Sequence, residues 1–91
     1  MTLDELYAII CDRRDHAPAG SYTASLFAKG EDEIIKKVGE EAIEVVLAAK
    51  GQGRQRVIEE VADLAFHTLV LLAAKGIQPE EIRAELARRH K

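Results

Sequence analysis

A chain of 91 residues has room for one domain, residues 1–91, and with 47% apolar residues it is no disordered tail. Its 16 acids and 13 bases are interspersed and leave a formal charge of −3, a balance that offers no footing for nucleic acid or a membrane surface. Cys11 is the only cysteine. It can form no internal disulfide, which points to a reducing cytoplasm and to a small apolar filler in the first helix.

The first predicted helix runs from Leu3 to about Arg14. Thr2 caps it, Asp4 and Glu5 sit in its first turn, and Leu3, Leu6, Ile9 and Ile10 form an apolar stripe at helical spacing. The opening "MTLDELYAII" is short and acidic, and reads as neither a signal peptide nor a spanning helix. Asp15 to Gly30 is punctuated by Pro18, Gly20 and Gly30 and reads as a long loop, with one helical turn over Ser25–Lys29. Loops of that length in small domains tend to be functional. The second main helix covers Glu31–Lys50, with Gly51 as the residue just past its end. The third runs from about Gln55 to Lys75 and stops at Gly76. The fourth starts at Pro79, with Glu80 and Glu81 in its first turn, turns Ile82 and Leu86 inward and ends in "ARRH". No segment reads as a strand. The expected class is all-α, a small antiparallel helical bundle of four main helices.

The two central helices carry more apolar surface than one chain can cover. Ile34, Ile35, Val38, Ala42, Val45, Val46 and Ala49 fill one arc of the second, while Ile43 and Leu47 lie on another side. Val57, Ile58, Val61, Leu64, Ala65, Phe66, Leu69, Val70, Leu71 and Leu72 surround the third. Such a helix is buried on all sides, so the bundle is expected to be completed by dimerisation, as a homodimer or larger, with the third helix in the interface.

Acids interrupt these apolar runs. Glu41 and Glu44 are three residues apart on one side of the second helix, and Glu60 and Asp63 have the same spacing on the third. Antiparallel packing about the "GQG" turn brings the four carboxylates to comparable heights. Two such charges about 4 Å apart repel by roughly 1 kcal/mol in water and several times that when partly buried. A proton or a cation must offset the repulsion, and oxygen ligands alone favour Mg²⁺ or Mn²⁺, which commonly bridge carboxylates to phosphates. The plain alternative is a pair of solvated acidic faces with weak pairs such as Lys37–Glu41. A di-iron bundle would need Glu-x-x-His on two helices, and the second helix has none.

Four further features stand out. Gly39, inside a helix, implies close approach of a neighbouring helix or a ligand. Lys29, Lys36 and Lys37 precede the acids and could meet phosphates, Lys36 being the more solvated of the last two. His67 shares the Glu60–Asp63 stripe and reads as a hydrogen-bonded supporting residue rather than a ligand. Tyr22 and Thr23 lie in the long segment, where polar contact with a substrate is plausible.

Taken together, "SYTASLFAKGEDEIIKKVGEEAIEVVLAAK", "EEVADLAFHTLVLLAAKGI" and "ELARRH" resemble the phosphoribosyl-ATP pyrophosphatases of histidine biosynthesis. These fall within the wider MazG-like all-α nucleotide pyrophosphatases, marked by EExxE and ExxD. Those motifs are Glu40-Glu41-Ala42-Ile43-Glu44 and Glu60-Val61-Ala62-Asp63 here. The resemblance implies a homodimeric, Mg²⁺-dependent enzyme, with Mn²⁺ as a substitute, that converts 1-(5-phosphoribosyl)-ATP to 1-(5-phosphoribosyl)-AMP and pyrophosphate. It implies Glu41, Glu44, Glu60 and Asp63 as metal ligands and Glu40 as the residue that orients or deprotonates water. On the substrate side it implies Lys37, Ser21, Tyr22 and Thr23, with Lys36 beside them. Relatives fused to a cyclohydrolase domain raise the expectation of a separate cyclohydrolase as a functional partner. Two alternatives stay open: a MazG-like pyrophosphatase for other (deoxy)nucleoside triphosphates, and a non-enzymatic helical dimer with acidic faces.

Overall fold

The computed structural model describes residues 1–90 and is all-α. Its helices are α1 (Leu3–His16), α2 (Tyr22–Lys29), α3 (Glu31–Gly51), α4 (Arg54–Lys75) and α5 (Pro79–Arg89). None of them is long and apolar enough to cross a membrane.

Local signals account for most of the boundaries. Thr2 and Glu5 form a capping box, in which the Glu5 N–H donates to the Thr2 hydroxyl at 3.0 Å and the Thr2 N–H donates to Glu5 Oε1 at 2.9 Å. At the end of α4, Gly76 takes a left-handed φ of 70°, which lets the Ile77 N–H reach the Leu72 carbonyl at 2.9 Å. Pro79 opens α5, where its missing N–H costs nothing.

Two expectations need correction. The segment expected to be a loop contains α2, an eight-residue helix that starts at Tyr22 rather than a turn confined to Ser25–Lys29. Ser21 nucleates it by accepting the Ala24 N–H at 3.1 Å, and Gly30 ends it. Gly51 does not follow α3 but belongs to its last turn, and Gln52 is the cap. The left-handed residue is Gly53, with φ of 90°, which starts α4. The link between the two long helices is thereby cut to Gln52 and Gly53, and α3 and α4 run antiparallel side by side.

The core lies where α1 and α2 cross this hairpin. Tyr7 and Ile10 from α1, Leu26 from α2, Ile34 from α3, and Leu69, Val70 and Ala73 from α4 form it, with Cys11 half-buried at its edge as an apolar filler. The Tyr7 hydroxyl donates to the Ile77 carbonyl at 2.7 Å and so ties α1 to the α4–α5 turn. Burial, followed by the neighbouring Cys11 thiol, pushes that hydroxyl above its usual pKa. Tyr7→Phe should leave the Ile77 carbonyl without this donor and cost about 1 kcal/mol in a urea-unfolding experiment.

The arc assigned to α3 is only partly buried in the single chain. Ile34 is buried, whereas Ile35, Val46 and Ala49 are exposed, as are Ile43 and Leu47. Ile58 and Val61 are exposed on α4. Among the described residues α3 packs chiefly against α4 and α2, which leaves part of its surface uncovered. Gly39 is also not a point of close approach within the chain, because a Cβ there would meet nothing within 4 Å.

Candidate functional site

Glu41 on α3 faces Glu60 and Asp63 on α4 across the hairpin. One carboxylate oxygen from each of the three lies within 4.8 Å of the others. The i, i+3 spacing puts Glu60 and Asp63 on one side of α4, and the short Gln52–Gly53 link fixes the register that brings Glu41 opposite. Glu44 lines the same cleft but stands outside the three-oxygen cluster. Glu40, Lys37 and Ile43 complete the lining of this open space of about 540 Å³.

Burial differs sharply among the acids. Glu60 is only 5% exposed, whereas Glu40 and Asp63 are exposed and Glu41 and Glu44 half-buried. A buried carboxylate needs a partner. Glu60 Oε1 accepts a hydrogen bond from Arg56 Nη2 at 2.5 Å, while Arg56 Nη1 bonds Glu59 Oε1 at 2.7 Å. Sequence reasoning overlooked Arg56, although Arg56 and Glu60 are four residues apart on one helix and that spacing was a legible signal. Its hydrogen bond to Glu59 and the charge of Glu60 hold the Arg56 guanidinium above its ordinary pKa. Lys37 Nζ lies 3.7 Å from Glu41 Oε1 and 3.9 Å from Glu40 Oε1. The cleft therefore pairs a dense carboxylate cluster with two cations on its margin, an arrangement suited to a hard divalent ion and an anionic ligand.

The remaining sequence-derived residues lie outside this lining. Lys36 is exposed and paired with Glu33 at 3.1 Å. Ser21 spends its hydroxyl on capping α2, and Thr23 is half-buried in that helix's first turn. Tyr22 reaches α4 instead, with its hydroxyl 3.2 Å from His67 Nε2. His67 is buried, and its Nδ1 lies 2.8 Å from the Asp63 carbonyl. It is a buried, hydrogen-bonded residue one turn beyond Asp63.

Residues 3–90 match the family model described as Phosphoribosyl-ATP pyrophosphohydrolase. The chain belongs to that family. A phosphoribosyl-ATP pyrophosphatase of Pelotomaculum thermopropionicum is 56% identical over 85 residues, 93% of this chain and 87% of that protein. One from Metallosphaera sedula is 55% identical over 89 residues, 98% of this chain and 96% of that protein. One from Saccharolobus solfataricus is 49% identical over 89 residues, 98% and 95% of the two chains. As a member of the phosphoribosyl-ATP pyrophosphohydrolase family, the chain is an enzyme, a hydrolase acting on a phosphoanhydride. The family likeness covers both long helices and so includes every carboxylate of the cleft.

Proposed function

We propose that the chain hydrolyses 1-(5-phosphoribosyl)-ATP to 1-(5-phosphoribosyl)-AMP and pyrophosphate, the second step of histidine biosynthesis. It does so with Mg²⁺ and as a homodimer. The observation that carries this reading is the convergence of Glu41, Glu60 and Asp63 in a cleft edged by Lys37, in a chain whose relatives are phosphoribosyl-ATP pyrophosphatases over nearly their whole length.

The donor set fits the ion, being made of carboxylate oxygens on two rigid helices with open space beside them. Glu41, Glu60 and Asp63 would hold it, with Glu44 on the cleft wall as a further carboxylate within the same lining. When bound, Mg²⁺ supplies charge neutralisation at the phosphate oxygens and makes water easier to deprotonate. The rest falls to side chains. Lys37 meets the phosphate chain, and Ser21, Tyr22 and Thr23 at the head of α2 form the substrate side. Lys36 joins them only by leaving Glu33. Glu40, on the same wall but outside the cluster, orients the attacking water and takes its proton. The water oxygen bonds to phosphorus, the α–β phosphoanhydride breaks, and pyrophosphate carries away the bonding pair. Positioning and charge dominate such a reaction, which explains why acids are built into packed helices.

The test is pyrophosphate release from phosphoribosyl-ATP, ATP, dUTP and dCTP, each with Mg²⁺ and with EDTA. Release from phosphoribosyl-ATP alone, lost in EDTA, is expected. Release mainly from a simple nucleotide would overturn the substrate assignment, and activity that survives EDTA would overturn the metal.

Arg56 gives a second prediction. With no cation in the cleft, it is the positive charge on buried Glu60. Arg56→Gln should therefore lower the melting temperature of the metal-free protein, and added Mg²⁺ should close most of the gap. Mg²⁺ at a hundred times its Kd stabilises the folded state by about 2.7 kcal/mol. A melting curve of the variant that ignores Mg²⁺ would contradict this.

A further inference from the structure

His67 is a buried, hydrogen-bonding side chain that the proposed chemistry leaves unused. It is 6% exposed and joins two helices. Its Nδ1 faces the Asp63 carbonyl at 2.8 Å, and its Nε2 faces the Tyr22 hydroxyl at 3.2 Å. Phe66 packs edge-on against the imidazole, with centroids 5.0 Å apart, and stacks on Tyr22 at 6.3 Å.

A carbonyl only accepts, so Nδ1 must carry a proton and donate it to Asp63. In the neutral ring, Nε2 is then an acceptor, and the Tyr22 hydroxyl must donate to it. That commits the Tyr22 proton inward. The lone pairs of the Tyr22 oxygen are left free to accept, on a residue 52% exposed at the head of α2.

We propose that His67 is a positioning residue that fixes the Tyr22 hydroxyl as a hydrogen-bond acceptor for a donor group of the substrate, a sugar hydroxyl or a base amine rather than a phosphate oxygen. A phosphate oxygen is itself an acceptor and gains nothing from lone pairs turned towards it. The chain of direction runs from a backbone carbonyl in the turn that carries Asp63, through the imidazole, to the first residue of α2. This inference rests on the reading of Ser21–Thr23 as the substrate side, and adds the residue that orients it and the chemical class it recognises.

Isosteric substitutions separate the two ends of the imidazole. His67→Asn keeps a donor near Nδ1 and loses the Nε2 acceptor; His67→Gln keeps an acceptor near Nε2. His67→Asn and Tyr22→Phe should each raise KM for phosphoribosyl-ATP about five- to tenfold, the loss of one hydrogen bond, with kcat and Mn²⁺ affinity by titration calorimetry unchanged. His67→Gln should restore much of the KM. The double variant Tyr22→Phe with His67→Asn should be no worse than either single change, because both remove the same contact. Additive effects, an unchanged KM in His67→Asn, or lost Mn²⁺ binding would overturn the proposal. A readout without turnover is ¹⁵N NMR of the imidazole. It should show a protonated Nδ1 and an acceptor Nε2 whose shift moves in Tyr22→Phe; an Nε2–H tautomer would refute the direction. If the native protein does not hydrolyse phosphoribosyl-ATP at all, the proposed function fails, whereas the NMR result still decides the hydrogen-bond chain.

Discussion

Glu41→Gln and Asp63→Asn should each reduce Mg²⁺-dependent turnover by a factor of at least about a thousand, the scale set by removing a key electrostatic group from a preorganised site. Neither should harm the fold. Glu41 and Asp63 are half-buried and exposed, and in the absence of a cation each repels its neighbours in the cluster. Neutralising one carboxylate relieves that repulsion, so the melting temperature of the metal-free protein should stay level or rise. The stabilisation by added Mg²⁺ should disappear at the same time. This combination of lost activity, retained or greater metal-free stability and no response to Mg²⁺ separates a metal ligand from a structural residue. Surviving turnover in both variants would refute the site.

The second large effect concerns assembly. Val46 is 59% exposed in the single chain, in a region of α3 that also exposes Ile43 and Leu47, while Ile58 and Val61 are exposed on α4. Five large apolar side chains exposed on the two longest helices favour a partner that covers them. If the chain is a monomer, Val46→Glu is an ordinary surface change worth within about 0.5 kcal/mol. In a homodimer that covers this surface of α3 it buries an unpaired carboxylate, which costs several kcal/mol and should weaken association a hundredfold or more. Sedimentation velocity at micromolar concentration should show a native dimer and a Val46→Glu monomer. A native protein that sediments as a monomer, or a variant that remains as dimeric as the native chain, would contradict this assignment.

Much of this was legible in the sequence because helices write themselves in spacing. Thr2, Gly76 and Pro79 set ends that the structure keeps. Glu60 and Asp63 share a face for the same reason, and the two-glycine turn told which helix would meet them. The misses have one character. α2 was hidden because Pro18, Gly20 and Gly30 dominate a segment whose helix rests on a single serine cap. Gly51 lies inside α3 rather than just past its end because periodicity locates a helix end only to within a residue or two. Glu44 lines the cleft yet stands outside the three-oxygen cluster because spacing fixes a face and not the reach of a side chain. Arg56 was missed because an exposed i, i+4 pair is usually worth little, and only the burial of Glu60 changes that.

The most direct test of the acidic cluster is an X-ray structure of crystals grown with Mn²⁺, with data collected at the manganese absorption edge. The account predicts an anomalous peak in the cleft, within direct coordination distance of Glu41, Glu60 and Asp63. Saturating Mn²⁺ that leaves no peak there, or a peak only at Glu31–Glu33 or elsewhere on the surface, would contradict it.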